Sequence, residues 1–180
     1  FAGKPLLQHV IDAAAGSTLA EVVVVLGASA DEIRDALVLP ANGKVRIVVN
    51  AGHARGLAES VRCGLAAVAA RASDVAILLG DQPRMSASLI DQVLTAHVAA
   101  GKPATRPVFG AGDARTPGHP VVVSRALWPA LRDLRGDEGA RAVLTERPEQ
   151  VNEVRIIAPA LADIDTPEDY ARALTAGGVG

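Results

Sequence analysis

The sequence predicts an α/β domain built as a doubly wound, mostly parallel sheet with helices on both faces, and three observations carry that expectation. Short Val/Ile/Leu runs recur at 21–26, 45–49 and 74–79, each separated from the next by a segment of helix length. Strands that are apolar on both sides suit a sheet covered on both faces, because neither face then meets water. The 180 residues, 49% of them hydrophobic, are enough for one such domain with a full core and too few for two. A single domain is expected over 1–176, with the glycine-rich 177–180 as a frayed tail.

Taken in order, helices are expected over roughly 5–15, 30–38, 57–70 and 86–100, so that the first half alternates helix and strand. After residue 101 the rhythm changes. Ala104 to Phe109 reads as a strand, Gly110 to Gly118 as a loop, and Pro120-Val121-Val122-Val123 as a resumed extended run. A loop that interrupts a compact sheet is commonly turned toward a substrate. Helices near 124–132 and 138–146, a strand around 152–157 and a last helix from about Pro167 to Leu174 complete the chain. Pro167 behind Asp165-Thr166 is a sound start signal for that helix.

The charge balance, 18 basic against 20 acidic residues for a formal net charge of -2, provides no electrostatic footprint for nucleic acid or an anionic membrane. Small-molecule partners are expected. Cys63 is the only cysteine, so no internal disulfide forms and no zinc spacing exists, which fits a reducing, cytoplasmic setting. No apolar run approaches the roughly 20 residues that span a bilayer, and Phe1-Ala2-Gly3-Lys4-Pro5 is no signal sequence.

Two acidic segments stand out. Ala76-Ile77-Leu78-Leu79-Gly80-Asp81-Gln82-Pro83 is an apolar strand ending in a Gly-Asp-x-Pro turn, the arrangement by which an open α/β sheet presents a carboxylate at a strand tip. The competing reading is that Asp81 only caps the helix that starts near Ser86. In Asp163-Ile164-Asp165-Thr166-Pro167-Glu168-Asp169, alternation puts Asp163 and Asp165 on one side of an extended stretch and Ile164 toward the core. Set opposite Asp81, the two would form an oxygen-rich site suited to Mg²⁺. Capping by Thr166 or Asp165 is the plainer account, although capping by Thr166 leaves Asp163 and Asp165 unused.

Three further segments are candidates. Gly56 leads into a helix whose first turns carry Ser60 and Arg62, and a helix N-terminus can receive a polar or anionic ligand. Gly118-His119-Pro120 closes the long loop as a shaped wall. Gly136-Asp137-Glu138-Gly139-Ala140-Arg141 reads as a capped helix start. His9 and His97 fall within helices and read as surface or packing residues, Cys63 as a small buried hydrophobe, Trp128 as a helix anchor, and His53 as a loop residue.

Together these segments resemble the MobA-like nucleotidyltransferases, and within them the molybdenum cofactor (molybdopterin) cytidylyltransferases. The residues that carry the likeness are Val49-Asn50, Gly56-Leu57-Ala58-Glu59-Ser60-Val61-Arg62-Cys63-Gly64-Leu65, Leu79-Gly80-Asp81-Gln82-Pro83, Gly118-His119-Pro120-Val121, Gly136 to Arg141 and Asp163 to Asp169, in the family's order over essentially the whole chain. The guanylyl branch usually has Gly-Pro-Leu-Ala-Gly where this chain reads Leu57-Ala58-Glu59-Ser60-Val61, which favours the cytidylyl side. The family's Leu-Ala-Ala-Gly-x-Ser-x-Arg-Met-Gly loop and the strand before it do not occur in the chain and are expected upstream of Phe1.

The resemblance implies a Rossmann-like, nucleotide-diphospho-sugar transferase-like fold and a reaction in which a phosphomonoester such as molybdopterin attacks the α-phosphate of CTP and releases pyrophosphate. Asp81 with Asp163 or Asp165 would hold Mg²⁺ and be catalytic. Gly56, Ser60 and Gly80 would contact the nucleotide, while His119 and Pro120, with the Gly136 to Arg141 segment, would form the acceptor side. The upstream loop would cradle the triphosphate. A molybdoenzyme or its chaperone is the protein partner this reading admits, with no nucleic acid and no membrane. The alternatives are a GTP-dependent guanylyltransferase, a sugar-phosphate nucleotidyltransferase, and a non-catalytic, chaperone-like module that binds nucleotide or cofactor.

Overall fold

The computed structural model describes residues 1, 3–111 and 115–175, so the expected tail at 177–180 lies outside the described residues. The elements follow the hydrophobic rhythm: α1 Leu6–Gly16, β1 Val22–Leu26, α2 Ala30–Asp35, β2 Val45–Val49, α3 Leu57–Ala67, β3 Asp74–Ile77, α4 Ala87–Ala100, β4 Ala104–Phe109, β5 Thr116–Pro117, β6 Val121–Ser124, α5 Trp128–Asp133, α6 Ala140–Glu146, β7 Val151–Ile156 and α7 Pro167–Thr175. A 3-10 turn, His53–Arg55, leads into α3.

The strands form two ladders. β1 and β2 pair in parallel, and a second sheet runs β3-β6-β4-β5 with β7 on β4. The expectation of a mostly parallel sheet is corrected here. Among the described residues β3–β6, β6–β4 and β4–β5 are antiparallel, and only β1–β2 and β4–β7 are parallel. The cause is the connection between β4 and β6, in which the described residues form no helix to carry the chain back across the sheet, so β6 returns in the opposite sense.

Helices cover both faces. Val122 of β6 packs with Val10 and Ala14 of α1 and with Leu89, Ile90 and Val93 of α4. Its neighbours Val121 and Val123 point to the other face and join Ala58 and Leu65 of α3, Trp128 and Leu131 of α5, and Val143 and Leu144 of α6. Trp128 anchors α5 as its sequence setting suggests, with Nε1 donating to the Val123 carbonyl at 3.3 Å.

His97 is more than a packing residue. It is 6% exposed near the end of α4, with Nε2 3.1 Å from Asp74 Oδ1 and Nδ1 2.9 Å from Thr105 Oγ1. A carboxylate only accepts, so Nε2 carries a proton and donates to Asp74. The ring thereby ties α4 to the starts of β3 and β4. Cys63 is half-buried rather than fully enclosed.

Candidate active site

β3 ends at Ile77, and the chain turns through Gly80 and Asp81 before α4 begins. Gly80 lies under α1, where an added Cβ would stand 3.1 Å from Leu7 Cδ1. The capping account of Asp81 is excluded: Ser86 is the N-cap of α4, its side chain accepting from Leu89 N–H at 3.2 Å. Asp81 is half-buried and its Oδ1 is enclosed without a hydrogen-bond partner.

The second acidic segment docks directly onto this turn. Ile164 N–H donates to the Asp81 carbonyl at 3.0 Å, and Gln82 Nε2 donates to Asp163 Oδ1 at 2.7 Å. Ile164 is buried at 9% while Asp163 and Asp165 on either side of it are exposed, as alternation requires. Capping of α7 falls to Thr166, whose Oγ1 accepts from Asp169 N–H at 3.1 Å while Asp169 Oδ2 accepts from Thr166 N–H at 3.0 Å. Asp163 and Asp165 are therefore not consumed by the helix.

The electrostatics follow from this gathering of acids. Burial raises the Asp81 carboxyl above its ordinary range, the negative charge of Asp163 raises it further, and Asp165 adds to the shift against a backbone hydrogen bond that lowers it. His119 is half-buried, and burial pushes its imidazole below the usual histidine range while the charge of Asp163 pulls it back up. His119 thus belongs to the same cluster. It is placed by Gly118, where a Cβ would sit 2.6 Å from Phe109 Cε2, and by Pro120, which is fully buried and presents no surface to a ligand. Among the described residues no group of three or more His, Cys, Asp or Glu is drawn together in ligating geometry, so the acids form a neighbourhood and not a finished cage.

The start of α3 is a different kind of place. Gly56 sits at φ +105°, and an added Cβ would fall 2.3 Å from the Gly136 oxygen, so glycine is required on both counts. Ala58 N–H donates to that same oxygen at 2.9 Å, so this donor of the helix start is engaged within the protein. The Gly136 segment accordingly packs on α3. Asn50, 4% exposed at the end of β2, gives Nδ2 to Ser60 Oγ at 3.1 Å and accepts Gly52 N–H at 2.9 Å. Glu59 is clasped by Arg55 at 2.8 Å and Arg62 at 2.6 Å, which together hold its carboxyl at about 2. Arg62 also donates to the Leu134 carbonyl.

Sequence reasoning gave no role to Gln82 or to the Asn50 bridge, although both lie inside motifs it singled out. Burial was the missing signal, since an amide beside an aspartate reads as a surface turn until it is enclosed. A cavity of about 170 Å³ is lined by Phe109, Arg115, Glu153 and Arg155 and by none of Asp81, Asp163 and Asp165.

The architecture is shared with nucleotidyltransferases of the nucleotide-diphospho-sugar transferase fold. The 4-diphosphocytidyl-2C-methyl-D-erythritol synthase of Anaerococcus prevotii superposes with a TM-score of 0.77 over 97% of this chain and 87% of that one, at 16% identity, a likeness of fold alone. Within that class the chain belongs to the family described as the MobA-like NTP transferase domain, which it matches over residues 1–152. The structure of an Rv0371c homologue from Mycobacterium sp. strain JC1 matches with a TM-score of 0.81 and 27% identity over 97% of this chain and 83% of that one. Rv0371c of Mycobacterium tuberculosis H37Rv, solved in complex with manganese, matches with a TM-score of 0.77 and 26% identity over 94% and 86%. Among curated relatives, the purine catabolism protein PucB of Bacillus subtilis is 35% identical over 121 residues, 64% of this chain and 55% of PucB. The bifunctional protein GlmU of Sorangium cellulosum is 34% identical over 101 residues. That stretch is 55% of this chain and 21% of GlmU, so the chain spans about a fifth of that relative's length.

Proposed function

We propose that this nucleotidyltransferase moves CMP from CTP to the phosphate of a molybdopterin-type phosphomonoester and releases pyrophosphate. The single observation that carries the site is the buried, partnerless Oδ1 of Asp81 beside Asp163 and Asp165. Hard carboxylate oxygens, one of them unsatisfied, are the donor set of a divalent cation, and a carboxyl raised by neighbouring negative charge is relieved by one. Asp81 with Asp163 or Asp165 would hold Mg²⁺, which when bound neutralises charge on the phosphoryl oxygens.

The chain's own residues supply position. Asp81 is fixed by the strand behind it and by the Ile164 bond to its carbonyl, so its carboxylate is aimed before any ligand arrives. Ser60, oriented by Asn50, and the backbone after Gly56 would read the cytosine. His119, held below the usual histidine range by burial, is a neutral imidazole at pH 7 and would contact the acceptor phosphate as a hydrogen-bonding group without adding charge. β1 pairs only with β2 and β3 only with β6, so each has an edge without a partner among the described residues.

The test is pyrophosphate release from the full-length protein with Mg²⁺, molybdopterin and each NTP in turn. Release with CTP, and stronger thermal protection by Mg-CTP than by Mg-GTP, are the expected outcomes. Release with GTP alone would establish the guanylyl alternative. Tight cofactor binding with no release for any NTP would leave the chaperone-like reading instead.

A further inference from the structure

Gln82 is the most enclosed polar side chain in the acidic cluster, at 4% exposure, and it is used on one side only. Its Nε2 donates to Asp163 Oδ1 at 2.7 Å, whereas its Oε1 is buried with no donor in reach. The reverse orientation of the amide would set Oε1 against a carboxylate oxygen, two acceptors facing each other, so chemistry fixes the orientation. A buried carbonyl oxygen without a donor costs stability. The amide's one hydrogen bond is therefore the one that Nε2 makes to Asp163.

We propose that Gln82 is a positioning residue for the metal-binding acids: its amide orients the Asp163 carboxylate beside Asp81, engaging Oδ1 and leaving Oδ2 to ligate. This rests on the reading of Asp81 and Asp163 as ligands. The Ile164 bond brings the backbone of the acidic segment to Asp81, yet Asp163 itself is exposed and would otherwise sample several rotamers. The Gln82 amide selects one of them. Groups that orient metal ligands in this way typically change metal affinity by about 10–100-fold when removed.

The proposal is tested with full-length protein and Mn²⁺ as the probe, following the loss of the free-ion signal by electron paramagnetic resonance. Gln82→Leu and Gln82→Met are expected to weaken Mn²⁺ binding about tenfold or more. Their melting temperature without metal should be unchanged or higher, because the partnerless Oε1 leaves with the amide. In steady state the Mg²⁺ concentration for half-activation should rise by the same factor, with kcat at saturating Mg²⁺ retained. In an Asp163→Asn background the Gln82 substitution should cause no further loss. Wild-type affinity in both Gln82 variants, with weakened binding in Asp163→Asn, overturns the positioning role while sparing the ligand assignment. Wild-type affinity in Asp163→Asn, or no Mn²⁺ binding by the wild type, overturns the ligand assignment and the proposal with it. Loss of fold in both Gln82 variants makes Gln82 a core residue and also overturns it.

Discussion

The cluster around Asp81 and the start of α3 are both built behind the end of a strand, and they differ in how their polar groups are satisfied. At α3, Asn50, Ser60, Gly52, Glu59, Arg55 and Arg62 bond to one another. At β3, Asp81 Oδ1 and Gln82 Oε1 are buried without partners, and the Asp81 carboxyl is raised by burial and by its neighbours' charge. A network closed on itself fixes its members in place before any ligand arrives. An arrangement that the fold itself disfavours is kept for a ligand.

The sharpest way to break this contrast is Asp81→Asn. Nucleotidyl transfer is expected to fall at least about a hundredfold, while the apo protein melts no lower than wild type. The sign of the pH dependence follows from the raised carboxyl. Ionising Asp81 costs folding stability, so wild-type stability falls as pH rises from the ordinary carboxylate range through its raised value. Asp81→Asn should lack that fall, and its advantage over wild type should grow across that window and then level off. Denaturant titrations at several pH values measure it, and a lower apo stability for the variant at neutral pH would contradict the contrast.

Gly56→Ala tests the other side. It forces a side chain onto φ +105° and into the Gly136 carbonyl, and is expected to cost about 2–3 kcal/mol, or a melting shift of roughly 5–10 °C. Asn50→Ala leaves Gly52 N–H and Ser60 Oγ without their bridge and should cost about 1–2 kcal/mol, read by thermal unfolding. The loss should appear without nucleotide, and thermal protection by Mg-CTP should weaken with it, because the same bridge orients Ser60. The smallest effect is expected for Glu59→Gln. Glu59 is held at about 2, so the stability it contributes is present above the ordinary glutamate range and lost as pH falls toward 2. The variant should therefore differ from wild type at neutral pH and converge with it in acid.

Much of this was legible in the sequence. The strand boundaries at 45–49 and 104–109 and the starts of α3 and α7 follow from apolar periodicity and from Gly56 and Pro167 alone. Strand direction was not legible, because the run Val121 to Val123 is apolar on both faces whichever way it points. The absence of a helical pattern between Phe109 and Pro120 was the one sign that β6 would reverse. The alternation of Asp163 and Asp165 about Ile164 was readable for the same reason that a strand's faces are. Its attachment through Gln82 was not, since the partners are 81 residues apart. The His97–Asp74–Thr105 link escaped for the same reason, a histidine on a helix carrying no mark of the strands it will meet.

The division into two ladders has a consequence for amide exchange with solvent. β6 has paired strands on both sides, and its Val122 and Val123 are 0% exposed. β1 has one partner strand, and its Val22, Val23 and Val25 are only half-buried. A two-stranded ribbon takes its persistence from the helices laid on it, here α1 and α3. The amides of 22–26 and 45–49 should therefore open to deuterium through a smaller fluctuation than those of 104–109 and 121–124, which should be released only with the whole molecule.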